Sequence, residues 1–112
     1  MIEDPTKLFR VLADPIRLRI LHLLHDGELC VGDLVTVLGV PQPTASRHLA
    51  YLKRSGLITA RKNSYWTFYS LAPAHTPFRR KLLECLDADV TGRKRDAKRL
   101  AGVKRSGGCC PM

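Results

Sequence analysis

No apolar run in this chain approaches the roughly 18 residues that suggest a membrane span, so a membrane-embedded protein is not expected. The opening residues, Met1-Ile2-Glu3-Asp4-Pro5, have neither the basic head nor the apolar stretch of a secretion signal. A cytoplasmic location is the resulting expectation. No nucleophile–base pairing, glycine-rich phosphate loop or closed metal constellation is present, which argues against an enzyme. No internal repeat is present either. Four cysteines in a cytosolic chain are not expected to form a disulfide framework, and their spacing is uneven: Cys30 and Cys85 stand alone, while Cys109 and Cys110 are adjacent. That pattern suits thiol chemistry.

Acidic residues are scarce as well. Lysine and arginine number 19 against 10 aspartates and glutamates, for a formal net charge of +9 and a pI near 9.9. In a domain this small the excess points to a polyanion, and nucleic acid is the commonest one. No long basic amphipathic helix with bulky apolar residues appears, so an anionic membrane ranks last. With 112 residues, 45% of them hydrophobic, the chain can form one domain with a modest core.

Asp4-Pro5 is a cap-and-first-turn pair that opens a short helix through Leu8, Phe9, Val11 and Leu12. Asp14-Pro15 repeats the device. Its helix places Ile16, Ile20, Leu23 and Leu24 on one face and stops at Asp26-Gly27. A third helix is expected from about Val31 to Leu38, ended by Gly39, and a fourth from about Pro43 to Arg54, closed by Ser55-Gly56. Leu57 to Arg61 and Tyr65 to Leu71 read as strands joined by Lys62-Asn63-Ser64. A helix follows Pro77, with Phe78, Leu82, Cys85 and Leu86 on one face, and Cys85 there reads as buried packing. From Thr91 onward seven basic residues stand against Asp96 alone, with a short helix around Asp96 to Val103. The expected organisation is a mainly helical winged helix-turn-helix domain over residues 1–90, of order α-α-α-α-β-β-α. A basic, partly flexible tail would occupy residues 91–112.

A recognition helix needs small hydrogen-bonding side chains near its N-terminal end, because that end enters the major groove. Gln42, Thr44, Ser46 and Arg47 meet this need. Gln pairs bidentately with adenine and Arg with guanine, while Ser and Thr suit bases or phosphates. His48 and Lys53 are assigned to the phosphate backbone, and Arg61 and Lys62 on the wing to the flanking groove. His48 has an alternative, packing beneath the hairpin. His22, His25 and His75 are read as residues of helix surfaces.

Three segments now carry a resemblance. Leu12-Ala13-Asp14-Pro15-Ile16-Arg17-Leu18-Arg19-Ile20-Leu21, Glu28-Leu29-Cys30-Val31 and Gln42-Pro43-Thr44-Ala45-Ser46-Arg47-His48-Leu49 resemble the ArsR/SmtB family, and Leu52-Lys53-Arg54-Ser55-Gly56-Leu57-Ile58 extends the likeness into the wing. The likeness covers about residues 5 to 86. It implies a homodimeric winged-helix repressor that binds operator DNA and leaves it when a metal or metalloid binds. Dimerisation would use the first and last helices, whose apolar faces contain Leu8, Val11, Leu82 and Leu86. There are departures. Where arsenite-sensing members often have three cysteines, this chain reads Cys30-Val31-Gly32-Asp33-Leu34-Val35, with one. The recognition-helix cap, commonly Ser, is Pro41. His75, Asp87 and Asp89 lack the spacing of the zinc site on the last helix of some relatives, so no such site is expected.

Cys109 and Cys110 supply the missing soft ligands. Trivalent arsenic has three bonds to fill. A methylated arsenical therefore needs two thiolates, and arsenite a third, for which Cys30 is the candidate. Cys30 also lies near a helix start, where the dipole favours the thiolate. The expectation is an arsenic-resistance repressor induced by arsenite or methylarsenite, with no permanent cofactor. One alternative is a redox- or persulfide-sensing repressor using the same cysteines. Another, of a different class, is a winged-helix module for protein or RNA interaction.

Overall fold

Each of the first two helices begins at an aspartate–proline pair, and in both the aspartate side chain closes the first turn. In the computed structural model, which describes residues 4–86, 93–105 and 107, helix α1 spans Pro5–Leu12 and α2 spans Pro15–Leu24. Asp4 accepts from the backbone N–H groups of Thr6 and Lys7. Asp14 accepts from Ile16 at 2.8 Å and Arg17 at 3.2 Å. Proline at the first helical position sacrifices no intrahelical hydrogen bond and comes with φ already set.

Strand β1 is only Leu29–Cys30, and α3, Val31–Leu38, starts directly from it. Gly39, at φ 68°, ends α3 in the left-handed conformation that glycine adopts without steric cost. Helix α4 spans Gln42–Arg54. Strands β2, Ile58–Asn63, and β3, Trp66–Leu71, form the wing, and α5 spans Pro77–Leu86. Helix α6 spans Arg93–Arg105.

The expected winged helix-turn-helix is therefore present, with two additions. β1 pairs antiparallel with β3, Leu29 opposite Tyr69 and Cys30 opposite Phe68, which makes a three-stranded sheet of order β1-β3-β2. A two-residue strand has no periodicity to reveal it. The second addition is α6, longer than the expected Asp96 to Val103. It packs along α2 and α3, with Leu100 and Val103 against the main core. The anticipated boundary near residue 90 lies outside the described residues. The hairpin turn also differs. Lys62 and Asn63 belong to β2, and the chain reverses at Ser64 and Tyr65, with Ser64 at φ 61°.

The core is one aliphatic cluster. Ile20 and Leu24 from α2, Leu34 from α3, and Ala45, Leu49 and Leu52 from α4 are all essentially removed from solvent. These positions recur at helical spacing on the inward face of each helix, which sets how α4 is rolled. Leu49 and Leu52 inward put Ser46, Arg47 and Ala50 outward.

Replacing Asp14 with alanine should lower stability by about 1 kcal/mol, the usual cost of a lost N-cap. The urea midpoint would fall with an unchanged m-value; an unmoved midpoint would show that the cap adds nothing here.

Candidate DNA-reading surface and thiol site

Helices α3 and α4, joined by Gly39-Val40-Pro41, form the helix-turn-helix. At the start of α4, Pro41 sits at the N-cap position and makes no side-chain cap bond. Pro43 has no N–H to offer, whereas Gln42 and Thr44 do. Gln42, Ser46 and Arg47 are exposed and Thr44 is half-buried. Along one helix these residues share the outward side, and Lys53 is exposed near the other end. Lys62 is exposed on the wing, and Tyr65 at its tip is 95% exposed.

Two of the residues assigned to DNA are already engaged within the protein. His48 is buried, 8% exposed, against α2. Its Nδ1 lies 3.2 Å from Arg17 Nη1 and 4.0 Å from Asp14 Oδ1. Arginine is always a donor, so Nδ1 accepts and the ring is neutral in this arrangement. Burial is the main influence holding the His48 pKa below its ordinary value. The positive charges of Arg17 and Arg47 act in the same direction, and Asp14 opposes them. The direction of this side chain is set by α2, where no local sequence pattern could show it.

Arg61 is the second. Its Nε and Nη2 donate to the two carboxylate oxygens of Glu28 at 2.7 and 2.6 Å, and its guanidinium lies 4.7 Å from the centre of the Phe68 ring. The paired hydrogen bonds, with the arginine charge, hold Glu28 below the usual carboxylate range and raise Arg61. Arg61 still keeps more than half its side chain in solvent. Sequence reasoning missed Glu28, which stands 33 residues away and meets Arg61 only because β1 joins the wing sheet.

Arg17 was also missed as an organiser. Its side chain donates to the carbonyls of Val11 at 2.5 Å and Arg10 at 3.1 Å, reaches His48, and stacks 4.6 Å from the centre of Tyr51. The signal available was its place three residues after a capping aspartate, which fixes its backbone but says nothing of its partners.

The thiols divide into two sets. Cys30 is 2% exposed and caps α3, with its Sγ accepting from the Asp33 N–H at 3.5 Å. It packs with Phe68 and Trp66, and, contrary to the expectation of thiol chemistry without a staple, it is disulfide-bonded. Cys85 is free and exposed, contrary to the expectation of a buried packing residue. The inward side of α5 is formed by Leu82, Leu83 and Leu86, which turns position 85 outward. Cys109 and Cys110 lie outside the described residues. Among the described residues no group of three or more His, Cys, Asp or Glu side chains could hold a metal ion. His22, expected on a helix surface, is buried where α6 covers α2.

The expected dimer faces need a similar adjustment. Leu8 and Val11 are fully committed to the chain's own core. The apolar groups that α1 and α5 leave in solvent are Phe9, 52% exposed, and Phe78, 43% exposed, packed edge to face with centroids 6.1 Å apart. No helix among the described residues is long and apolar enough to cross a membrane.

A helix-turn-helix with a hairpin directly behind it, under a strong positive charge, defines a winged-helix DNA-binding regulator. The particular family follows from known proteins: residues 14–60 match the family described as bacterial regulatory protein, arsR family. The arsenical resistance operon repressor of Escherichia coli is 53% identical over 74 residues, which take in 65% of this chain and 62% of that protein. The arsenic resistance transcriptional regulator ArsR1 of Pseudomonas putida is 37% identical over 102 residues, 89% of this chain and 80% of that protein. Among solved structures, the homodimeric winged helix-turn-helix DNA-binding domain of Mb0332 from Mycobacterium bovis superposes with a TM-score of 0.61 at 25% identity, over 96% of this chain and 86% of that one. The chain belongs to the ArsR family of transcriptional regulators, which are not enzymes.

The lowered His48 pKa has a consequence for stability. An unfolded histidine titrates near about 6.5, while folding holds His48 neutral to lower pH. The unfolded chain therefore takes up the proton first. Stability is full above about pH 6.5 and declines as pH falls from there toward the folded-state value. Replacing His48 with glutamine should flatten that decline in melting curves between about pH 5 and about pH 8. An unchanged slope would remove His48 from the linkage.

Proposed function

We propose that this protein is a homodimeric repressor of an arsenic-resistance operon that releases its operator when trivalent arsenic is bound by cysteine thiolates. The observation that carries the reading is the double role of Cys30, which caps α3 of the helix-turn-helix and pairs with Phe68 of the wing. Once its disulfide is reduced, a ligand that moves this sulfur acts on both DNA-reading elements at once.

In this reading Gln42, Thr44, Ser46 and Arg47 address base edges and phosphates in the major groove, and Lys53, Arg61 and Lys62 address phosphates. His48 supports the recognition helix from behind. The dimer brings two such units to an inverted repeat, with Phe9 and Phe78 as the apolar groups for the partner. The E. coli and P. putida relatives named for arsenic resistance and the homodimeric M. bovis domain support these assignments. The location is cytoplasmic, where the operator is.

Arsenite exchanges its three hydroxyl groups for the sulfurs of Cys109, Cys110 and Cys30; each thiol's proton leaves with a departing hydroxyl, so three waters are released. Methylarsenite has one bond to carbon, so it exchanges two hydroxyls for the sulfurs of Cys109 and Cys110, and the two thiol protons leave with them as two waters. Soft sulfur donors select such centres over hard cations. Repression ends because the loaded protein prefers the DNA-free state, and a coupling of about 1–3 kcal/mol lowers operator affinity roughly 5- to 150-fold.

A second reading is favoured by the disulfide at Cys30. Cys30 and a tail thiol would give two electrons and two protons to an oxidant such as a peroxide, and the disulfide would release DNA with no metalloid present.

In the test, the operator-bound, reduced dimer is titrated with arsenite, methylarsenite and, separately, a thiol oxidant. Cys109→Ser with Cys110→Ser should abolish release by both arsenicals, and Cys30→Ser should impair release by arsenite more than by methylarsenite. Undiminished release without the tail thiols defeats the arsenic reading; release by oxidant alone selects the redox one. A further outcome concerns Arg61. Glu28→Gln frees its guanidinium and should raise operator affinity severalfold at low salt, with the gain shrinking as salt is added. Equal affinities at every salt concentration would show that Arg61 does not meet DNA.

A further inference from the structure

A cleft of about 360 Å³ opens where α1, the end of α4 and the start of α5 converge. Its floor is apolar, made by Leu8 and Val11 of α1, both 3% exposed. Among the described residues, its walls carry three cations from three helices, Lys7 of α1, Arg54 of α4 and Arg79 of α5, against one carboxylate. That carboxylate is Asp4, whose Oδ1 already accepts the N–H groups of Thr6 and Lys7 at the start of α1. The Ser55 hydroxyl on the same wall donates to the Tyr51 carbonyl at 2.9 Å.

The cations are held in place but not neutralised. Arg79 Nη1 donates to the Gly56 carbonyl at 3.2 Å, and the Arg79 backbone N–H donates to Thr76 Oγ1 at 3.1 Å, which pins this guanidinium to the loop leaving α4. The Arg54 guanidinium lies 5.9 Å from the centre of the Tyr51 ring. Among the described residues neither Lys7 nor Arg54 forms an ion pair. Like charges gathered around one cleft repel, and an anion placed between them reverses the sign of the interaction. The apolar floor adds a second preference, for a ligand with a carbon body. Small-molecule sites combine a volume of about 300–1,000 Å³ with apolar lining and a few placed polar groups, and this cleft has all three.

We infer that this cleft binds a small organic dianion, its carboxylates meeting Lys7, Arg54 and Arg79 and its apolar body resting on Leu8 and Val11. The inference goes beyond the arsenic reading and uses none of its cysteines. The site joins parts with different tasks. Arg54 is the last residue of the recognition helix, while Leu8 and Arg79 are the chain neighbours of Phe9 and Phe78, the apolar pair left in solvent by α1 and α5. A ligand in the cleft therefore ties the recognition helix to the two helices that carry that pair.

The experiment titrates the full-length, reduced protein calorimetrically with phthalate, a dianion built on an apolar ring. Inorganic phosphate serves as the anion without a ring, and benzamide as the ring without a charge. The expected result is saturable phthalate binding that weakens with added salt, phosphate weaker by about tenfold or more, and no binding of benzamide. Lys7→Gln and Arg54→Gln should each lower phthalate affinity by about tenfold. Both side chains are exposed, so both variants should melt as the wild type does. Absence of saturable phthalate binding, or wild-type affinity in both variants, overturns the site. Phosphate bound as tightly as phthalate removes the apolar floor from it and overturns the organic ligand. Binding that appears only on dilution to monomer shows that a second copy of the chain fills the cleft, which overturns it too. Cys109→Ser with Cys110→Ser should bind phthalate as the wild type does, so failure of the arsenic reading is distinguishable from failure of this one.

Discussion

The DNA-reading unit depends on one side chain, Arg17. It leaves α2 just after the Asp14 cap and bonds the carbonyls of Arg10 and Val11 at the end of α1, where the helix dipole is negative. The same guanidinium meets His48 and lies over Tyr51, both on α4. Three helices thus share one charged fork. Its planar geometry suits simultaneous hydrogen bonding and stacking, which a lysine ammonium could not reproduce. The aliphatic core beneath sets how closely the helices approach, but dispersion and burial have little directionality. Arg17 adds directional contacts to the roll of α4 that its inward apolar face already sets.

The sheet ties a second set of elements together. Cys30 is at once the end of β1 and the cap of α3, and its cross-strand partner Phe68 stacks under Arg61. Glu28, two residues before Cys30, holds Arg61 by both oxygens. The thiol, the wing and the first helix of the helix-turn-helix are consequently one contiguous packed group. A change at Cys30 is felt at the wing through contacts that already exist, and no long-range relay is needed. Helix α6 is fastened by Asp96 to Arg19 of α2, whose guanidinium also reaches the Val37 carbonyl near the end of α3.

Much of this was legible in the sequence because the signals were local. The Asp-Pro pairs, the glycine after Leu38 and the apolar spacing of α2 and α4 each act within a few residues, and the helices lie where those signals put them. What was missed depends on partners distant in the chain. Strand β1 exists because β3 offers it an edge, and Arg61 is held because β1 brings Glu28 alongside. The burial of His48 depends on Arg17, 31 residues away. Asp96 did carry a signal, as the lone acid in a basic run, but only the position of Arg19 turns that oddity into a contact. The exterior of α4 was readable for a different reason: once Leu49 and Leu52 are inward, helical geometry leaves its other residues no choice.

Pro41 closes the account of that helix. Where a serine or threonine would satisfy the first free N–H groups of α4 from within the chain, proline satisfies none, and Pro43 removes one donor altogether. The first turn of the recognition helix is finished by whatever acceptor arrives from outside. On the proposed reading that acceptor is a phosphate of the operator, so binding and completion of the helix become a single event. Part of the operator's affinity is then the stability that an internal cap would otherwise have given to the free protein.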